Sequence, residues 1–277
     1  MPELPEVEII ARSLDTLVRG RTILSAELLR PRLAPDTTAE RFASDLRRRQ
    51  INFIHRRGKH ILFDLSGDVT LIVHLRMSGR FSLLNAETER PKFTHAVFEL
   101  DDNDNLVFDD QRHFGLMKLV PTAELFDAKE LRKLAPEPMS EQFSPEYLYS
   151  TTRGSPRKLK EFLIDQTRVC GLGNIYACEA MFAAGLNPRR AAQRLTRPMC
   201  RRLHESICSV LQEAIDHATT LPIQPDNLEG RYFSGAADAG WYVYDREGRP
   251  CRHCNKTIVR VKQGGRSTYF CRQCQQK

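Results

Sequence analysis

The first residues of the chain, Met1-Pro2-Glu3, combine a potential nucleophile with a potential acid–base group. Removal of Met1 would give Pro2 a free secondary amine, and because α-amino groups titrate near about pH 8, a useful fraction would be neutral and nucleophilic. Attack of this amine on a sugar carbon gives an iminium, whose fixed positive charge favours elimination. Glu3 could move the protons. Proline and glutamate are also common where helices begin, and on these residues alone that explanation is the more common one.

Four of the eight cysteines have the spacing of a metal site. They form the pairs Cys251-x-x-Cys254 and Cys271-x-x-Cys274, with 16 residues between the pairs. This spacing closes a tetrahedral zinc thiolate site. Four cysteine ligands leave no open position for water, so we expect one structural Zn²⁺. The other four cysteines lack such spacing, and we expect them to be reduced and mostly buried.

The net charge of +7 on the 277 residues is concentrated near the C-terminus. Residues 246–277 carry nine Lys and Arg against one acid, Glu247, so this segment has a charge of +8 and the rest of the chain about −1. A local cationic surface suits a polyanion, most often a nucleic acid. Taken alone, the charge is explained first by a solvated basic face.

The composition is that of an ordinary globular protein, with 41% hydrophobic and 28% charged residues. No apolar run approaches the roughly 18 residues of a membrane span, and no basic-then-apolar leader indicates secretion. We therefore expect a cytosolic protein without a membrane association.

These candidate residues must be positioned by regular elements, of which the first is a helix. Residues 5–18 repeat apolar side chains at helical spacing. Pro5 suits the first turn of such a helix, and Glu6 favours its positive end. Helix formation does not explain Pro2 and Glu3, which precede it.

The rest of the chain divides by the period of its apolar residues. From residue 22 to about 120 the period is two, which predicts antiparallel strands in a two-layer sandwich. Residues 121–143 read as a hinge, and helical spacing returns over 144–218. We therefore expect an α+β fold, with an N-terminal helix and antiparallel β-sandwich in 1–130, a helical domain in 131–228 and a zinc-finger module in 229–277.

Several short segments, taken together and in order, resemble the formamidopyrimidine-DNA glycosylase/endonuclease VIII family, whose members repair oxidised bases in DNA. They span essentially the whole chain and are MPELPEVE, RRGKH, LRMSG, DDQRHFG, KEFLIDQ, GLGNIYACEA, GLNP and the C-terminal CxxC pairs. Leu4 and the loop from Arg112 to Phe114 are closer to the formamidopyrimidine branch than to the endonuclease VIII branch.

The resemblance assigns catalysis to the N-terminus. Pro2 matches the family's nucleophile and Glu3 its acid–base partner. Glu6 matches a second carboxylate near the sugar, for which the helix start is an equally good explanation. Lys59 follows a glycine at a turn that enters a strand, and it matches a lysine that reaches the phosphate beside the lesion.

The resemblance also implies DNA contacts in the C-terminal half. Residues 157–177 match the helix–two-turns–helix of the family, in which Lys160 and Asn174 match backbone-phosphate ligands. The Gly171–Asn174 turn and the start of the next helix suit a phosphate as well. Arg266, between the zinc pairs, matches the finger arginine that grips phosphates flanking the lesion.

Three further residues match side chains that fill the space left by a displaced base. A base must leave the duplex stack before its sugar can be attacked, and inserted side chains offset that cost. Met77, Arg112 and Phe114 match this void-filling set, all on loops after strands. Taken singly, Met77 and Phe114 would more often be core residues.

The resemblance therefore implies a bifunctional DNA glycosylase and AP lyase of base excision repair, which forms an iminium at Pro2 and cuts the strand by β,δ-elimination. Its partner would be duplex DNA with oxidised bases, formamidopyrimidines and 8-oxoguanine among them, or with abasic sites. We expect a monomer. The alternative is a non-catalytic zinc-ribbon protein that binds nucleic acid, which explains the basic segment and the cysteines but not Pro2 and Glu3.

The segment before the finger departs from the family. Formamidopyrimidine-type enzymes carry there a long loop that folds over a flipped 8-oxoguanine, then a Phe-Gln-containing strand and a VYGRxGxPC run. Here residues 233–241 are several residues short, and Asp245 stands in place of Gly in VYDREGRPC. We predict robust cleavage of abasic sites and removal of ring-opened purines, acceptance of some oxidised pyrimidines, and relatively poor removal of 8-oxoguanine. Alternatively, Trp241 or a rearranged turn over 234–240 caps the base equally well.

Overall fold

The computed structural model describes residues 1–219 and 240–276, which pack as two compact units. The first unit consists mainly of Met1–Pro2 and Glu6–Arg132. The second contains Glu3–Pro5, Lys133–His217 and residues 240–276. The predicted boundary between residues 228 and 229 lies outside the described residues, and the three-domain division stays a prediction.

The first helix, α1 (Leu4–Val18), forms where the apolar spacing predicts it. Val7, Leu14 and Val18 are fully buried along one stripe and share a hydrophobic core with inward side chains of the sheet. Pro5 lies in the first turn, where its missing N–H breaks no helical hydrogen bond. Residues 1–3 precede the helix, so its formation does not account for them.

An antiparallel sheet of eight strands makes up most of the first unit, together with one short helix. These elements are β1 (Thr22–Leu28), α2 (Ala39–Leu46), β2 (Arg49–Arg57), β3 (His60–Leu65), β4 (Val69–His74), β5 (Gly79–Asn85), β6 (Thr94–Leu100), β7 (Asp104–Asp110) and β8 (Leu116–Pro121). The hydrogen-bonded order is β5-β7-β6-β1-β2-β3-β4-β8. Phe63 in β3 and Phe81 in β5 have ring centroids 5.6 Å apart, although their strands are distant in that order. The sheet therefore folds into two facing layers, and the predicted α+β fold is confirmed.

The second unit is helical and ends in a small hairpin. Its elements are α3 (Pro145–Arg153), α4 (Leu159–Leu163), α5 (Asn174–Ala183), α6 (Arg197–Thr219), β9 (Ile258–Gln263) and β10 (Arg266–Cys271). The side chain of Leu4 is fully buried in the core that these helices form. None of the helices in the described part of the chain has the length and apolar character needed to cross a membrane.

Candidate active site

Glu3 lies at the N-terminus of α5 in the second unit. Its Oε1 accepts a hydrogen bond from the backbone N–H of Ile175 at 2.9 Å, and its Oε2 accepts one from Tyr176 at 3.3 Å. Only 3% of Glu3 is exposed. The helix start carries partial positive charge and donor groups, which together hold a carboxylate in one place. The residue next to the predicted nucleophile therefore has a defined position.

The Gly171–Asn174 turn packs against the N-terminal residues of the chain, and its contact with a phosphate stays a prediction. The sequence predicts a phosphate at this helix start, whereas the first amides of α5 bind the Glu3 carboxylate. A Cβ atom at Gly173 would lie 2.2 Å from Cδ of Glu3, and the N–H of Leu4 donates to the carbonyl of Gly171 at 3.1 Å. The glycines are needed because the N-terminal residues of the chain pack directly against them.

The other N-terminal candidates lie in the first unit. Pro2 is buried just ahead of α1, and Glu6 is buried in its first turns with 3% of its surface exposed. Lys59 follows Gly58 in the turn between β2 and β3, as predicted, and only 5% of it is exposed. The catalytic and phosphate-binding roles of these residues stay predictions.

Lys160, Asn174 and Arg266 lie in the second unit. Lys160 in α4 is fully buried, and its Nζ has no hydrogen-bond partner among the described residues. Burial lowers the pKa of Lys160, with repulsion from the Arg266 guanidinium contributing in the same direction. Asn174 Nδ2 donates to the carbonyl of Ser267 at 3.0 Å, next to the exposed Arg266. Positively charged groups from α4 and the finger hairpin therefore influence one another.

Two of the three predicted void-filling side chains are large, apolar and exposed. Met77 follows β4 with 43% of its surface exposed, and Phe114 follows β7 with 46% exposed. The guanidinium of Arg112 lies over the Phe114 ring, 5.4 Å from its centroid. Neither Met77 nor Phe114 belongs to the core. Their exposure excludes the role of core residues, which their residue types alone would favour.

The four predicted zinc ligands converge in the finger. Their Sγ atoms all lie within 4.8 Å of one another, with 3.9 Å between Cys251 and Cys274 and 3.4 Å between Cys254 and Cys271. A tetrahedral zinc with Zn–S bonds of about 2.3 Å separates its sulfurs by about 3.8 Å, so the cluster fits the ion. Zinc in this site is structural because all four ligands come from the protein.

Glu179 is a positioning residue that the sequence analysis missed. Its carboxylate is buried in α5 and accepts backbone hydrogen bonds from Tyr242, Val243 and Tyr244 at 2.8–2.9 Å. Burial raises the pKa of Glu179, although these amides oppose the shift. The carboxylate fixes the start of the finger to α5. The sequence signal for this role is a single acidic residue within the apolar run IYACEAMFAAG.

Asp245, which departs from the family run, adopts a left-handed backbone conformation with φ of +55°. Asp tolerates this region better than most residues because its short side chain can form local hydrogen bonds. Here Oδ1 accepts a hydrogen bond from the hydroxyl of Tyr269 at 3.2 Å. The glycine of the family run is therefore replaced by a residue with a contact of its own in β10.

Three family models match successive parts of the chain. They describe the formamidopyrimidine-DNA glycosylase N-terminal domain over residues 1–117, the H2TH domain of the same enzyme over 134–224, and a zinc finger found in FPG and IleRS over 248–277. The chain belongs to the formamidopyrimidine-DNA glycosylase family. This confirms the family that the sequence motifs identify.

Individual members of the formamidopyrimidine-DNA glycosylase family match over the full length. The formamidopyrimidine-DNA glycosylase of Desulforamulus reducens is 41% identical over 276 residues, which are 99% of each chain. The Lactococcus lactis Fpg in complex with abasic-site DNA has a TM-score of 0.90 at 33% identity, over 99% of this chain and 100% of that one. The same enzyme with Fapy-dG DNA has a TM-score of 0.89 at 34% identity, with the same coverage.

Proposed function

We propose that the chain excises oxidised bases from duplex DNA through an iminium at Pro2 and then cuts the strand. As a member of the family, it is a DNA glycosylase with AP lyase activity. After removal of Met1, the amine of Pro2 attacks C1′ of the damaged nucleotide, and the bond from C1′ to the base breaks as the base takes up a proton. The sugar ring opens and leaves an iminium on C1′. Loss of a C2′ proton breaks the C3′–O bond, and a second elimination breaks the C5′–O bond.

The position of Glu3 is the observation that carries this proposal. Two backbone amides of α5 hold its carboxylate, and the peptide bond joins it to Pro2. A proton-transfer group works when it is held within reach of the reacting atoms. Glu3 can therefore take the proton that the Pro2 nitrogen loses on attack and pass it to the leaving base or the sugar oxygen, while Pro2 supplies the electron pair.

Further residues support a role in gripping damaged DNA. The buried ammonium of Lys160 has no hydrogen-bond partner among the described residues, and a DNA phosphate would supply one. In the proposal Lys59, Asn174 and Arg266 contact phosphates too, and zinc keeps the hairpin of Arg266 folded. Met77, Arg112 and Phe114 would fill the gap left by the flipped nucleotide, as inserted apolar side chains do in other DNA-bending proteins.

Cleavage of labelled duplexes separates this enzyme from the rival zinc-ribbon protein. A duplex with one abasic site should be cut to leave phosphate at both new ends, since β- and δ-elimination remove the sugar fragment. A duplex with a formamidopyrimidine should release the base and give the same ends. Binding of both duplexes without any cleavage would support the zinc-ribbon alternative instead.

The lesion preference is a separate proposal and concerns the region before the finger. Residues 233–239 of the shortened segment lie outside the described residues, and Trp241 packs edge-on against Tyr176 with ring centroids 5.5 Å apart. We propose that a short segment offers fewer amides to the carbonyl of 8-oxoguanine, while the sugar chemistry is untouched. Single-turnover rates on matched duplexes should then be lower for 8-oxoguanine than for formamidopyrimidine. Equal rates would contradict the proposal and favour capping by Trp241 or a rearranged turn.

We also propose that the protein acts as a monomer in the bacterial cytosol. The four cysteines of this chain form a complete zinc site without a second copy, and the relatives named above are bacterial. Light scattering during size-exclusion chromatography, with and without a lesion duplex, would detect a stable dimer and overturn the monomer.

A further inference from the structure

Two loops of the first unit carry the predicted void-filling side chains, and they are joined by the half-buried Ser78 and the buried Asp110. We call residues 75–78, after β4, the first wedge loop and residues 111–115, after β7, the second wedge loop. The hydroxyl of Ser78 in the first loop donates to Oδ1 of Asp110 at 2.5 Å. The same hydroxyl accepts a hydrogen bond from the backbone N–H of Arg112 at 3.0 Å. One small side chain therefore joins both loops.

The Asp110 carboxylate accepts several backbone hydrogen bonds from the second wedge loop. It is fully buried, and its Oδ1 also accepts from the N–H of Arg112 at 3.1 Å. Its Oδ2 accepts from the N–H groups of Phe114 and Gly115, each at 2.7 Å. Burial by itself would raise the pKa of Asp110, but the hydrogen bonds from Ser78 and these amides outweigh it and lower the pKa. The carboxylate is therefore held ionised and saturated with donors from the two loops.

Both loops also rest on the same aromatic ring. A Cβ atom at Gly79, directly after the first wedge loop, would lie 2.7 Å from the ring of Phe108. A Cβ atom at Gly115, in the second loop, would lie 2.8 Å from that ring. Phe108 is fully buried. Gly79 and Gly115, which end the LRMSG and DDQRHFG motifs, therefore allow both loops to pack against the Phe108 ring.

Each loop contains a non-glycine residue in the left-handed region, with φ of +57° at Arg76 and +59° at His113. Such a conformation is unfavourable for a non-glycine residue and persists where surrounding contacts enforce it. The N–H of Arg76 donates to Nδ1 of His74 at 2.9 Å, and His113 shares a ring–ring hydrogen bond of 2.8 Å with His95. These contacts come from the chain itself, so the loops need no DNA contact to hold this shape.

We propose that Ser78 and Asp110 are positioning residues that lock the two loops into one preformed wedge, so that Met77, Arg112 and Phe114 enter the duplex together. The inference rests on the proposed function, in which the exposed side chains of the two loops fill the space left by the displaced base. Ordering a flexible loop during insertion would cost backbone entropy at every residue that becomes fixed. A preformed wedge avoids that cost at the moment when the base leaves the stack.

The test compares Ser78→Ala and Asp110→Asn with the matched control Asp109→Asn. Asp109 is the neighbouring carboxylate of β7, only 4% exposed, and it pairs with Arg80 at 3.0 Å. Asn at position 110 would place an amide donor against a backbone donor, while Ala at position 78 removes only the hydroxyl. Should Asp110→Asn fail to fold, Ser78→Ala alone decides.

Two substrates separate wedge insertion from chemistry. On a duplex containing formamidopyrimidine, excision by Ser78→Ala and Asp110→Asn should slow by at least about tenfold, since one hydrogen bond to a charged group is worth roughly that factor. A 2-aminopurine opposite the lesion should report a matching delay in its fluorescence change. On single-stranded abasic DNA, where no void needs filling, cleavage and borohydride trapping should match the unmodified protein, as should Asp109→Asn on both substrates.

The outcomes distinguish this inference from the proposed function. If the unmodified protein cuts neither substrate, the proposed function fails. If it cuts both, and the two variants either lose both activities in parallel or keep both, the wedge assignment is wrong, because a general structural role or no role explains those results.

Discussion

Lys160 illustrates at the scale of one residue how a group proposed to bind DNA can lower the stability of the fold. Its side chain is fully buried, and its ammonium has no hydrogen-bond partner among the described residues. Burial and the nearby Arg266 both disfavour the charged form and lower the pKa of Lys160. An apolar residue of similar length would fit the same space without this cost. This cost supports the proposed contact between Lys160 and a DNA phosphate.

We predict that Lys160→Met weakens binding to lesion duplexes without destabilising the protein. Loss of one phosphate contact should reduce the salt slope of binding by about one. The free energy of unfolding of the variant should stay unchanged or increase by up to about 4 kcal/mol, because replacing a buried charge by an apolar group is often neutral or stabilising. Titrations at several salt concentrations and urea unfolding would measure both. A destabilised variant that binds DNA normally would show that the lysine is structural.

His60 and His74 form a second residue-scale pair, beside Lys59 in the first unit, with ring centroids 4.6 Å apart. Burial lowers the pKa of His60 to about 4 and that of His74 to about 2, and neighbouring cations act in the same direction. In the unfolded chain both imidazoles take up protons below about pH 6.5. The folded state does not, so these residues make the protein less stable as the pH falls from about 6.5 towards 4.

We predict that His60→Phe flattens this pH dependence. Urea unfolding at pH 7 and pH 5 should show a smaller loss of unfolding free energy in the variant than in the unmodified protein, because one protonation of the unfolded state is removed. An identical loss in both proteins would mean that His60 titrates in the folded state as well.

At the scale of elements, α5 holds two other parts of the second unit in place. Its first amides hold Glu3, and Glu179 within it holds the backbone of the finger. A substitution at its start should therefore affect chemistry through Glu3. Gly173 is the sharpest place to test this, since a Cβ atom there would lie 2.2 Å from the Glu3 carboxylate carbon.

We predict that Gly173→Ala displaces Glu3 and slows base excision by about 10²-fold or more, the usual worth of a positioned acid–base group. Gly154→Ala is the matched control, because a Cβ atom there would have no neighbour within 4 Å. Single-turnover excision from a formamidopyrimidine duplex would compare the two. Equal excision by both variants would contradict the role assigned to the α5 start.

Local patterns predict some of these elements and not others. The apolar stripe of α1 and the alternation in β6 and β7 are strong signals, and the CxxC spacing predicts the finger cluster. By contrast, α2 buries only Phe42 and Leu46, too few residues to mark a helix within a β-rich region. The contact between Glu3 and Ile175 joins residues 172 positions apart, so no local pattern indicates it. Ser78 lies in a loop and Asp110 at the end of β7, both of residue types common at such places, and only the fold brings them together.

At the scale of the whole molecule, the net charge of +7 and the family assignment agree on DNA as the partner. The excess charge lies in residues 246–277, whereas the N-terminal residues with the proposed chemistry lie in a part of the sequence that is nearly neutral overall. Added salt should therefore strongly weaken DNA binding, because the basic finger carries the excess charge. It should change the reaction rate of the bound complex much less. We propose that Pro2 performs the chemistry of that bound complex.

Trapping of the iminium tests this claim most directly. Borohydride added during cleavage of an abasic duplex should reduce the iminium to a stable amine and leave DNA attached to the peptide that begins with Pro2, as mass spectrometry of the digested adduct would show. The intact mass should show that Met1 is absent, and a variant with one extra residue retained before Pro2 should give no adduct. Equal trapping by that extended variant, or an adduct on a lysine, would contradict catalysis by the N-terminal proline.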